Sequence, residues 1–184
     1  MPGAYNGLSA LQARQAGFEG LYLSGAAMSA SMGLPDLGVI TIDDVCFFIR
    51  QVVQSSGLPV LMDGDTGFGE ALNVMHMVRA FEEAGAAAVQ IEDQLLPKKC
   101  GHLNDKKLAP AADMAAKVAA ARRAQASLHR RAHRCAGERG AERGHRARQT
   151  LCRGGAGSIF PEALGDAEAF RRFSAEVPVR YSPT

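Results

Sequence analysis

The sequence predicts an α/β fold built on a parallel sheet, and two observations predict it. One unit recurs along the chain: a helix ends at Gly, a short apolar strand follows, and the strand finishes in polar residues. It is visible in QAGFEGLYLSG, SSGLPVLMDGD, EAGAAAVQIED and GGAGSIFPEA. In addition, these strands are continuous apolar runs rather than alternating ones, which suits parallel strands buried on both faces.

The elements follow in order. The first strand ends at Tyr22, Ser24 and Gly25. Residues 42–55 form a helix with Val45, Phe48, Ile49 and Val52 on one face, N-capped by Thr41 with Asp44 in the third position. The second strand ends at Asp63 and Asp65. Residues 70–84 form a helix with Leu72, Met75, Val78 and Phe81 at helical spacing. The third strand ends at Glu92 and Asp93. An Ala-rich helix over 110–124 opens with Pro110, a favourable first-turn residue. A fourth recognisable strand ends at Glu162, followed by a helix over 166–175 with Phe170 and Phe173. Alternating strands and helices place any ligand site at the C-terminal ends of the strands. A complete (β/α)8 barrel typically needs ~250 residues. The chain has 184, so either a smaller open sheet or a barrel lacking a part is expected.

Composition narrows the class. Hydrophobic residues make up 47% and charged residues 22%, which is ordinary for a globular chain with a core and excludes a disordered one. No apolar run is long enough to span a bilayer. The first residues, MPGAYNGLSA, lack a basic region and a long apolar stretch, so no signal peptide is expected and the cytoplasm is the expected location. Cys46, Cys100, Cys135 and Cys152 show no CxxC spacing and read as free thiols.

The strand tips carry the chemistry. Asp63 and Asp65 stand two residues apart before a Gly-rich turn, Thr66-Gly67-Phe68-Gly69, and Glu92-Asp93 adds two more carboxylates. Hard oxygen donors of this kind suit Mg²⁺ or Mn²⁺. The competing reading is acidic caps on the helices that follow. Lys98-Lys99-Cys100-Gly101-His102 follows the third strand. Cations around a thiol favour its thiolate and attract an anionic substrate. Such a cysteine can act as acid, base or nucleophile, whereas a lone cysteine elsewhere is usually structural.

YLSG (22–25), GLPDLG (33–38), DGDTGFG (63–69), QIEDQ (90–94) and KKCGH (98–102) occur in this order. Together they resemble the isocitrate lyase/phosphoenolpyruvate mutase superfamily, and KKCGH resembles its lyase branch, nearest the 2-methylisocitrate lyases. The resemblance implies a (β/α)8 TIM-type barrel, of which this chain would hold roughly the first half. It also implies Mg²⁺-dependent retro-Claisen cleavage of a methylisocitrate-like substrate to pyruvate and succinate. By position, Asp63, Asp65 and Glu92 would hold the metal, directly or through water. Cys100 would protonate the succinate carbanion, and Tyr22 would accept the substrate hydroxyl proton. Ser24, Gly25, Asp36 and Glu162 would line the substrate site, with Gly101 and His102 in a loop that closes over it.

The resemblance spans residues 2–124 and resumes at 157–179. Three parts follow: 1–124 as the N-terminal part of the barrel, 125–156 as an aberrant segment, and 157–184 as a fifth strand and helix with a truncated end. From Arg122 to Arg153 there are ten arginines, and between Leu128 and Leu151 there is no Val, Ile, Leu, Met, Phe, Tyr or Trp. The family pattern expects here a buried strand ending in Arg-Thr-Asp. Read one base later, Arg130–Gly155 can encode AARTDARASEGLNAAIERARLYVEAG, and a shift at Val179 can hide PLLANM, a sixth strand. A frameshift pair and a second shift are therefore expected, and the coding DNA decides. Arg-rich residues without apolar neighbours are a poor filling for a buried strand, so a disrupted fourth strand, a missing C-terminal part and impaired activity are expected. The alternatives are an inactive lyase remnant, or an enzyme for oxaloacetate or another α-keto acid. A nucleic-acid-binding protein is the weakest reading, because no aromatic residue interleaves with the arginines to stack on bases. The expected partner is a small di- or tricarboxylic acid, not a membrane. The family forms homotetramers through swapped C-terminal helices, which this chain lacks.

Overall fold

The computed structural model describes residues 1–100, 103, 105, 107–124, 133–136, 155–160, 166–168, 171 and 175. Five parallel strands lie side by side in chain order: β1 (Leu21–Leu23), β2 (Val60–Asp63), β3 (Ala88–Glu92), β4 (His133–Ala136) and β5 (Ser158–Phe160). Helices α1 (Gly7–Gln15), α2 (Gly25–Ser31), α3 (Ile42–Ser56), α4 (Ala71–Ala84) and α5 (Ala111–Ala124) accompany them. Each strand pairs with its predecessor and the order never reverses. A doubly wound sheet reverses its order at a switch point, whereas successive barrel strands do not.

The core forms where helix stripes meet the sheet. On α3 the buried positions include Val45, Phe48, Ile49 and Val52, as their spacing predicts. Thr41 and Asp44 cap that helix reciprocally: the Asp44 amide donates to Thr41 Oγ1 at 3.2 Å, and the Thr41 amide donates to Asp44 Oδ2 at 2.8 Å. These hydrogen bonds hold the Asp44 carboxyl below its ordinary range.

On α4 the buried stripe is Val74, Met77, Val78 and Phe81. Val78 and Phe81 lie where the spacing puts them, but Leu72 is 80% exposed and Met75 only partly buried. The reason is phase: Leu72 stands nine residues before Phe81, about two and a half turns, hence on the opposite face. Fully burying a side chain such as Phe81 stabilises the fold by about 2–3 kcal/mol.

The structure corrects the expectation of a disrupted fourth strand. Within residues 125–156, His133–Ala136 pairs in parallel with both neighbours, Glu92 with Ala136 and Ala136 with Phe160. Strand pairing joins backbone N–H and C=O groups, which every non-proline residue carries, so an apolar-poor segment can still complete a ladder. Residues 179–184, where a second shift is expected, lie outside the described residues. Among the described residues, no helix is long and apolar enough to cross a membrane.

Candidate active site

The site lies at the C-terminal ends of β1, β2 and β3. The β2 tip is a tight turn. Gly64 donates to Gln90 O at 2.8 Å, and a Cβ there would meet that oxygen and Val89 Cγ1 at 2.9 Å. Glycine therefore allows the turn to lie against β3. Asp65, Gly67, Phe68 and Gly69 all have positive φ. For Asp65 and Phe68 this costs on the order of 1 kcal/mol each.

The turn is held by its own backbone and by its neighbours. The Gly67 amide donates to Gly64 O at 2.9 Å, and the Glu92 amide donates to Asp65 O at 2.7 Å. Lys117 of α5, buried, donates from Nζ to Thr66 O at 3.2 Å.

This turn brings Asp63, Asp65 and Glu92 together, with one carboxylate oxygen from each lying within 4.8 Å of the others. Asp63 and Asp65 are buried, and Glu92 is partly buried. Asp63 accepts hydrogen bonds from the Gly25 amide at 3.0 Å and the Asp65 amide at 3.2 Å. Burial pushes the Asp63 carboxyl up despite those bonds and the nearby Lys98 charge. Burial also pushes Asp65 up, against the pull of Lys98.

Lys98 turns into this cluster. Its Nζ contacts Asp65 Oδ1 and donates to Asp36 Oδ1 at 2.6 Å. Burial alone would lower its pKa, but the charge of Asp65, the hydrogen bonds to Asp36 and Asp65, and Glu92 together raise it above the ordinary lysine value. The ammonium expected beside Cys100 to attract substrate instead neutralises carboxylates, because a buried acidic cluster attracts the nearest cation. The Lys98 ammonium faces four carboxyl groups, those of Asp36, Asp63, Asp65 and Glu92. A set of clustered oxygen donors of this kind fits a divalent cation. The absence of a side chain at Gly25 keeps space beside it, since a Cβ there would meet Asp63 Oδ2 at 3.2 Å and Asp65 Oδ1 at 3.4 Å.

The remaining predicted residues divide. Tyr22 is partly buried in β1 between the fully buried Leu21 and Leu23, so alternation turns it to the other face of the strand. Ser24 caps α2 by accepting from the Ala27 amide at 3.3 Å. The Gly25 amide is committed to Asp63. Asp36 reaches the cluster through Lys98. Cys100 is partly buried in the loop after β3. Gly101, His102 and Glu162 lie outside the described residues.

Sequence reasoning missed Gln94 and Lys117. Gln94 stands inside QIEDQ, and its polarity beside a buried strand end is a usable signal. Lys117 sits among alanines on a helix and carries no signal of its own.

All but the last residue of the chain matches a known family. The family model described as phosphoenolpyruvate phosphomutase matches residues 1–183. The chain is 46% identical over 180 residues to a 2-methylisocitrate lyase of Bacillus subtilis (strain 168), covering 97% of this chain and 60% of that protein. Its identity to a 2-methylisocitrate lyase of Aeropyrum pernix is 48% over 179 residues, covering 96% of this chain and 58% of the relative. Among solved structures, a 2,3-dimethylmalate lyase, itself described as a PEP mutase/isocitrate lyase superfamily member, superposes with a TM-score of 0.88. It shares 30% identity and covers 96% of this chain and 61% of its own. A phosphonopyruvate hydrolase complexed with oxalate and Mg²⁺ superposes with a TM-score of 0.86 at 30% identity, over 96% of this chain and 62% of its own.

The protein belongs to the phosphoenolpyruvate mutase/isocitrate lyase superfamily. Its similar curated relatives are 2-methylisocitrate lyases, which are carbon–carbon lyases, and the chain spans about 60% of their length.

Proposed function

We propose that this chain carries the site of a Mg²⁺-dependent lyase that cleaves 2-methylisocitrate to pyruvate and succinate by retro-Claisen chemistry. In this reading the five strands are the first arc of a (β/α)8 barrel. The observation that carries it is the meeting of Asp63, Asp65 and Glu92 within 4.8 Å at adjacent strand tips, with Cys100 on the loop leaving the same strand as Glu92. The likeness to 2-methylisocitrate lyases supports the substrate, and the Mg²⁺ complex of the hydrolase supports the ion.

Asp63, Asp65 and Glu92 would hold the ion, directly or through water. When bound, it supplies positive charge that stabilises the oxyanion of an α-hydroxy or α-keto carboxylate. The protein's own groups carry the protons. Tyr22, acting as its phenolate, would accept the substrate hydroxyl proton. As the C–C bond breaks, its electrons pass to the departing carbon and the former alkoxide becomes the keto group of pyruvate. The Cys100 thiol then protonates the succinate carbanion. Ser24, Asp36 and, with its amide held by Asp63, Gly25 border the substrate. Gly101, His102 and Glu162 are assigned the roles the family pattern gives them.

The test is pyruvate release from 2-methylisocitrate by the purified chain. The expected result is release that EDTA abolishes and that Cys100→Ser lowers by about 10²–10⁴-fold, the range of general acid catalysis. Folded protein that releases no pyruvate overturns the catalytic assignment for this chain and leaves the family membership intact. Turnover of oxaloacetate in place of 2-methylisocitrate transfers the site to the α-keto-acid reading.

A further inference from the structure

We propose that Gln94 is a positioning residue that couples the Asp63–Asp65–Glu92 cluster to the loop carrying Cys100, so that a cation bound at the cluster is felt at the thiol. The inference rests on the metal reading above and deepens it.

Gln94 is buried two residues beyond the end of β3. Its Nε2 donates to Glu92 Oε2 at 2.9 Å and to the Lys99 carbonyl at 2.8 Å. Its Oε1 accepts from the Lys99 amide at 3.2 Å. A primary amide has two N–H donors, and both are committed. The orientation of the amide is thereby fixed. Flipped, its oxygen would face the Glu92 carboxylate and the Lys99 carbonyl, acceptor against acceptor.

The amide thus holds both backbone groups of the residue preceding Cys100, as a neighbouring strand would. The foot of the same loop is closed by an antiparallel bridge between Gln94 and Leu108, and by the Leu95 amide donating to Lys107 O at 2.7 Å. With the foot closed, a displacement of the Glu92 carboxylate passes through one amide to the 99–100 peptide. Lys98 ties the loop to Asp36 and Asp65 separately.

A residue that merely braced the loop would change the reactivity of Cys100 without making it depend on the ion. The experiment therefore measures that dependence. The full chain is treated with iodoacetamide with and without saturating Mg²⁺, Cys100 modification is followed by peptide mass spectrometry, and Mg²⁺ binding is measured by calorimetry on the same samples. In the parent protein, Mg²⁺ is expected to change the Cys100 rate by at least about fivefold, the lower range of site-to-site coupling. Gln94→Leu is expected to bind Mg²⁺ and to bring that ratio close to unity, with the buried Cys46 still slow as a check on the fold. Should Gln94→Leu fail to fold, Gln94→Met, unbranched and closer in shape, carries the same test.

A Gln94 variant that keeps the parent ratio overturns the coupling, as does a parent protein that binds Mg²⁺ with no change at Cys100. In both cases the metal reading stands. A parent protein that binds no Mg²⁺ overturns the metal reading and this inference with it.

Discussion

The two loops that build the site are held in opposite ways. The turn after β2, residues 63–69, is short, largely buried and secured mainly by backbone hydrogen bonds to itself and to β3. The loop after β3, between Gln94 and Leu108, is longer; its foot is closed by backbone pairing, and beyond it residues 98 and 99 are tied by side chains, the Lys98 ammonium and the Gln94 amide. A backbone-held turn cannot rearrange without losing pairing to the sheet, which suits carboxylates that share a cation. A loop held by side chains can release and re-form those contacts at smaller cost, which would suit the proton-donating role proposed for Cys100. The two regions differ in this way although they leave adjacent strands.

Breaking the side-chain anchor of the second loop has the largest expected effect on stability. Lys98→Met leaves Asp65 buried with its counter-ion gone, and removal of one partner of a buried ion pair costs about 3–5 kcal/mol. Because Asp36 is 20% exposed, the lower end is expected. Urea unfolding checks this, and Asp65→Asn placed on Lys98→Met should recover part of the loss. A change below about 0.5 kcal/mol, typical of surface substitutions, would show that the pair is not what holds the loop.

The backbone-held turn is probed by Gly64→Ala. Its new Cβ would press on Gln90 O and Val89 Cγ1 at 2.9 Å, and overpacking of this kind costs about 1–3 kcal/mol. Mg²⁺ affinity measured by calorimetry should fall with it, since Asp63 and Asp65 flank the displaced residue. Unchanged affinity in a destabilised variant would separate the turn's rigidity from ion binding.

A site remote from both loops sets the baseline. Thr41→Ala removes the α3 cap at a cost of about 1 kcal/mol and should leave ion binding untouched. Its partner Asp44 has its folded pKa lowered. The stabilisation from that carboxylate is therefore present above its unfolded value of 3.8 and is lost as pH falls through the lower folded value. Thermal melts of the parent and Thr41→Ala should accordingly converge in acid. A gap that persists or widens there would rule out the capping pair as its source.

Much of this architecture is legible in the residues because its causes are local. The α3 helix follows from apolar spacing and the end signal at Thr41, and the α5 helix from its alanine content and the start signal at Pro110. The strand tips are marked where apolar runs stop at Asp63 and Glu92. The α2 helix is not legible, since GAAMSAS has no apolar period, and it forms on the Ser24 cap with Met28 buried against the core. The stripe of α4 is misphased in sequence because Leu72 and Val74 are both apolar, and only the sheet decides which faces inward. The pairing of His133–Ala136 runs against its composition, because the slot between β3 and β5 is offered by neighbours distant in the chain.

By itself the sequence determined the alternation of strand and helix, the acidic strand tips and the superfamily, for these rest on short-range patterns and ordered motifs. Only the tertiary structure decided that Lys98 turns inward to Asp36 and Asp65, that Gln94 joins Glu92 to the peptide before Cys100, and that Lys117 braces the Thr66 carbonyl. Those contacts arise from buried charge and unpaired donors seeking partners across folded space, and distance along the chain carries no record of them.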